Sequence, residues 1–100
     1  MEVNNELSER ELYDYKIACK AIHGDKKAYE EFFKKHKKAV YCVLLKIIGS
    51  ESDANTLKLK VLEKSFSCLS EYPIQLPFRT WLLKITVELA IEFLKKKENV

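Results

Sequence analysis

One hundred residues, 47% of them apolar and 33% charged, suit one compact domain with enough apolar side chains to bury a core. Two glycines and two prolines are too few turn residues for a β-rich fold, and the longest uncharged apolar stretch, Ala39 to Leu45, is far short of a membrane span. The net charge of +3 divides unevenly: Glu2, Glu6, Glu9, Glu11 and Asp14 against Arg10 leave residues 1–14 at −4, and residues 15–100 carry +7, a basic body that suits an anionic partner such as nucleic acid.

The pattern predicts an all-α domain of four helices. Ser8-Glu9-Arg10-Glu11 has the form of a capping box, and Leu12, Tyr15, Cys19 and Ile22 follow at helical spacing. Gly24 ends this first helix, because glycine tolerates a left-handed residue, and Asp25 caps the next one at once. The second helix is expected from about Lys26 to Ile48, with Ala28, Phe32, Val40, Leu44 and Ile47 buried and Lys34, Lys35, Lys37 and Lys38 on its other side. Gly49 closes it. Ser50 or Ser52 caps a third helix, about Glu51 to Leu69, that buries Leu57, Val61, Leu62, Phe66 and Leu69. Pro73 and Pro77 forbid a continuous helix between Glu71 and Pro77. Pro77 fits the first turn of a fourth helix, whose stripe is Phe78, Leu82, Ile85 and Leu89 with Trp81 beside it. Lys95, Lys96 and Lys97 lie at its C-terminal end, where cations suit the dipole.

No catalytic constellation stands out. His23 and His36 are 13 residues apart and read as surface residues, and Glu30, Glu31, Glu88 and Glu92 have no histidine at ligand spacing, so no metal, cofactor or enzymatic role is expected. Cys19, Cys42 and Cys68 have neither disulfide nor metal-site spacing and read as small buried thiols. The acidic N-terminus lacks the basic start and apolar centre of a secretion signal, which implies a cytoplasmic protein without membrane association.

The order of these punctuation marks carries a resemblance. Gly24-Asp25-Lys26-Lys27-Ala28-Tyr29 with Phe32-Phe33 is followed by Val40-Tyr41, then by Gly49-Ser50-Glu51-Ser52-Asp53-Ala54. Pro77-Phe78-Arg79-Thr80-Trp81-Leu82 and Leu89-Ala90-Ile91-Glu92-Phe93-Leu94-Lys95 complete the series. Over residues 15–97 this resembles region 2 of the bacterial RNA polymerase sigma factors of the extracytoplasmic-function class. The resemblance implies a four-helix domain that binds the clamp helices of the polymerase largest subunit and opens the promoter −10 element. It implies a polymerase contact at Asp53, Thr56, Leu57, Leu59, Lys60 and Glu63. It implies a DNA contact at Tyr72, Phe78, Arg79, Thr80, Trp81, Lys84, Glu88, Lys95 and Lys96, with a flipped base held in the loop before the fourth helix.

Physics fits that work, since a single strand needs cations for its phosphates and aromatic faces for its unstacked bases. Phe78 and Trp81 have two readings, base stacking and core packing. Arg79 either meets a phosphate or pairs with an acid such as Glu71. The chain departs from the family where polymerase would bind: the D-L-x-Q-E motif reads Thr56-Leu57-Lys58-Leu59-Lys60, which exchanges acceptors for apolar and cationic groups. Glu88 stands where the family has Asn. No helix-turn-helix region 4 lies within these 100 residues, so the resemblance implies either a shortened chain or a separate region 4-bearing subunit. The alternative is a protein-interaction module on the same scaffold, binding an anti-sigma regulator or a partner sigma subunit.

Overall fold

The structure is a computed structural model and describes residues 16, 17, 19–73 and 75–98. The expected capping box at Ser8, and Leu12 and Tyr15 of the first stripe, lie outside the described residues. Residues 19–22 are helical, and their last turn closes in a Schellman arrangement around Gly24 at φ +97°. The Gly24 N–H donates to the Ala21 carbonyl (2.9 Å) and the Asp25 N–H to the Lys20 carbonyl (3.1 Å), which satisfies two terminal acceptors. Asp25 then serves twice, because its Oδ1 accepts the Ala28 N–H at 3.1 Å and starts the next helix. Ala21 is the buried residue of this turn, and Ile22, expected inside, is 48% exposed.

Helix α1 runs Lys26–Lys34 and helix α2 runs Lys37–Ile48. The single helix expected over both is therefore broken, at Lys35 and His36. Their N–H groups donate to Phe32 (3.3 Å) and Phe33 (2.8 Å), three residues back rather than four, and the next α-type bond is Val40 to His36. The His36 ring packs 5.5 Å from Phe32 and 5.3 Å from Phe78, measured between ring centres, so tertiary ring contacts hold the corner. His36 is thus half-buried against rings, not the surface residue expected. The break also shifts the stripe: Ala28, Tyr29 and Phe33 are buried on α1, while Phe32 is half-buried.

Gly49, at φ +77°, ends α2 and Ser50 caps helix α3, Glu51–Ser67, accepting the Asp53 N–H at 3.3 Å. A short 3₁₀ turn, Leu69–Glu71, follows. The chain then turns again, with the Leu76 N–H on the Pro73 carbonyl (2.9 Å). Helix α4, Phe78–Glu98, starts one residue after Pro77, whose carbonyl accepts the Trp81 N–H at 3.2 Å. Pro77 is the cap rather than the first helical residue, and its missing N–H leaves nothing unsatisfied there.

Helices α2, α3 and α4 pack against one another, and α1 lies on α3. The ion pair of Asp53 at the start of α3 with Lys97 at the end of α4 (3.6 Å) fixes these two helices as antiparallel. Val40, Leu44, Ala54, Leu57, Val61, Trp81, Leu82, Ile85 and Ala90 form the buried core. The α4 stripe includes Trp81 itself, only 8% exposed. The buried hydroxyls of Thr86 and Ser65 are satisfied: Thr86 donates to the Leu82 carbonyl and Ser65 to that of Leu62. No strand occurs among the described residues, so the domain is all-α. Nor is any helix of these residues long and apolar enough to cross a membrane. Cys42, expected to be buried, lies on the exposed side of α2, with Cys19 and Cys68 half-buried.

Candidate functional site

The bend between α3 and α4 gathers an aromatic cluster. Tyr72, half-buried, lies 5.7 Å from Phe78 and 5.1 Å from Trp81, and its hydroxyl donates to the Leu76 carbonyl inside the same loop. Phe78 sits 4.5 Å from Phe32 and 6.3 Å from Tyr29. Tyr29, fully buried, is the centre: its hydroxyl donates to Ser65 Oγ at 2.5 Å, and Phe33 and Phe66 flank its ring. Burial pushes the Tyr29 hydroxyl up to about 12, against the lowering effect of the Ser65 hydrogen bond. Burial raises Tyr72 as well.

A cavity of about 100 Å³ opens beside the bend, lined by Ala21, Ile22, Tyr29, Phe32, Leu69, Tyr72 and Phe78. Its described walls are apolar and aromatic, with no cation among them. Neither Pro73 nor Pro77 lines it, so the cavity lies beside the loop before α4 rather than at the prolines themselves. It can take a flat apolar or aromatic group; the expected cation Arg79 lies elsewhere. There it lines a hollow with Lys35 and Lys38 of the α1–α2 corner.

The remaining expected strand contacts divide cleanly. Thr80, Lys84, Glu88 and Lys95 are exposed and recur at helical spacing, so they form one solvent-facing stripe along α4 that also includes Ile91. Lys96 is exposed in the last turn. Phe78 is half-buried and Trp81 is in the core, so the stripe offers cations and one carboxylate but no indole face.

The expected polymerase contacts divide in the same way. Thr56, Leu59, Lys60 and Glu63 share the exposed face of α3. Leu57 points into the core at 3% exposure, Asp53 pairs with Lys97, and Glu63 pairs with Lys26 at 3.3 Å. Leu59, 62% exposed, joins Leu89 of α4 in an open groove edged by Lys60, Glu63 and Lys64.

Sequence reasoning did not join one further group. Lys34, Lys37, Lys38 and Tyr41 line a hollow of about 390 Å³ with Asn55 and Lys58 of α3. The first four follow i, i+3, i+4, i+7 spacing, which was legible; that Lys58 closes the hollow from another helix was not. No cluster of three or more metal-ligating side chains occurs among the described residues.

No family model, curated protein or solved structure matches this chain.

Proposed function

We propose that this chain is a sigma region 2-like domain that docks on the RNA polymerase clamp helices and helps to open a promoter −10 element. One observation carries the reading. The proline-bounded bend ends α3, gathers Tyr72 and Phe78 beside a hollow of about 100 Å³, and launches a long helix with Thr80, Lys84, Glu88 and Lys95 on its open face. That is a small receptacle for an unstacked base next to a helix face bearing cations for phosphates. The quoted motif order, above all Pro77-Phe78-Arg79-Thr80-Trp81-Leu82, supports the same reading.

The α3 face favours a second reading, a protein-interaction module. Leu59 is exposed next to Leu89, and Lys60 replaces a carboxylate of the family motif. An apolar strip rimmed by ammonium groups suits a partner helix with leucine-like and acidic side chains more than an arginine-bearing clamp. A pull-down of core polymerase by the full chain, with and without a region 4-bearing partner, separates the two. Retention of polymerase, strengthened by Lys60→Glu, supports the promoter reading. Absence of retention by both proteins rejects it.

A further inference from the structure

We infer that the hollow formed by Lys34, Lys37, Lys38 and Lys58 around Tyr41 is a binding track for the phosphates of a single nucleic-acid strand. This track stands apart from the α4 stripe and needs no polymerase. Four lysines line one hollow of about 390 Å³, with no carboxylate among its described lining residues. An anionic chain lowers the repulsion among these like charges. Lys58 is held in place: its Nζ donates to Asn55 Oδ1 at 3.4 Å and sits 5.6 Å from the centre of the Tyr41 ring.

The track has a direction. Lys38 also lines the neighbouring hollow with Lys35 and Arg79, so cations run without interruption from α3 across the α1–α2 corner to the first turn of α4. Glu30 and Glu31 share a hollow with Lys34 and Lys35, which places acids at the border on the α1 side.

Tyr41 selects the kind of polyanion. It is half-buried between the lysines, where an unstacked base can reach its ring and the stacked bases of a duplex cannot. An acidic peptide would satisfy the lysines and leave the ring unused.

The experiment is fluorescence anisotropy of a labelled oligothymidylate of about 12 nucleotides, titrated with the full chain over a series of salt concentrations. Each single-strand phosphate contact contributes a slope of about 0.7 in log K against log salt. The triple variant Lys37→Ala/Lys38→Ala/Lys58→Ala is expected to flatten the slope by about 2 for its three lost contacts, with an unchanged circular-dichroism melt. Tyr41→Phe is expected to retain affinity and Tyr41→Ala to lose several-fold. An unaltered slope in the triple variant, with the loss confined to Lys84→Ala/Lys95→Ala, overturns the track. So does equal displacement by polyglutamate of matched charge, tighter binding of the duplex, or no strand binding by the unaltered chain. Core-polymerase retention is read separately, so failure of the track and failure of the promoter reading are distinguishable.

Discussion

At the scale of single residues, Tyr29 ties the aromatic cluster to α3. Its ring is enclosed and its hydroxyl has one partner, Ser65. Removing that hydrogen bond by Tyr29→Phe is expected to cost about 1 kcal/mol at neutral pH. The alkaline behaviour is more specific. The folded hydroxyl titrates near 12 and an exposed tyrosine near 10.0, so the unfolded chain ionises first. Its contribution is fully present below pH 10 and is lost as pH rises through 12, a difference of about 2–3 kcal/mol. Urea denaturation of the unaltered chain is expected to weaken steeply above pH 10. The Tyr29→Phe curve should lack that component, so the two stabilities converge above pH 10 and then cross; parallel curves would deny the buried hydroxyl this role. Trp81 gives a second test at this scale. At 8% exposure it is a core side chain, and Trp81→Ala is expected to destabilise by about 3–5 kcal/mol, with Trp81→Phe retaining more than half. Thermal melts check this, and a melt unchanged by Trp81→Ala would return the indole to the surface.

At the scale of elements, the helix ends were legible because each has local chemistry. Gly24 and Asp25, Gly49 and Ser50, and the two prolines each solve a backbone problem within four or five residues. Gly49 is the cleanest case. A Cβ added there meets nothing within 4 Å, so only the left-handed φ of +77° opposes a side chain. Gly49→Ala is expected to cost about 1 kcal/mol, and Gly49→Asn less, because Asn tolerates that conformation. Chemical denaturation reads both, and equal losses would point to packing instead. The corner at Lys35 and His36 was not legible, since both residues suit a helix and no glycine or proline marks them. What fixes it is Phe78, some forty residues onward, packed at a tilt against His36 and Phe32. The candidate site shows the same limit. The resemblance named Thr80, Lys84, Glu88 and Lys95 among the strand contacts, and periodicity placed Leu82 and Ile85 of α4 inside. Neither could tell which of its two readings Trp81 would take, or that Arg79 leans toward α2, because those outcomes depend on which helix packs where.

At the scale of the whole molecule, the distribution of charge matters more than its sum. Among the cations of the described body, two groups line surfaces with room for a strand: the α4 stripe, and the corner where α1, α2 and α3 meet. Charge on a surface acts over about a Debye length, roughly 8 Å at physiological salt, so each surface attracts an anionic strand largely by itself. Glu88 is the exception on α4. One turn beyond Lys84 and two turns before Lys95, it places a carboxylate in the middle of the cationic stripe. If a strand follows that stripe, Glu88 opposes it, and Glu88→Lys converts one repulsion into one contact. The expected result is tighter binding of a −10 single strand and a salt slope steeper by about 0.7, with little change in thermal stability because the residue is exposed. The same substitution should leave the Tyr41 track untouched, so Lys58→Ala in the Glu88→Lys background must lower affinity by the same factor as in the parent chain. Unequal factors would show one strand bridging both surfaces. An unchanged slope on Glu88→Lys would remove α4 from the strand path and leave the lysine corner as the place where this fold meets nucleic acid.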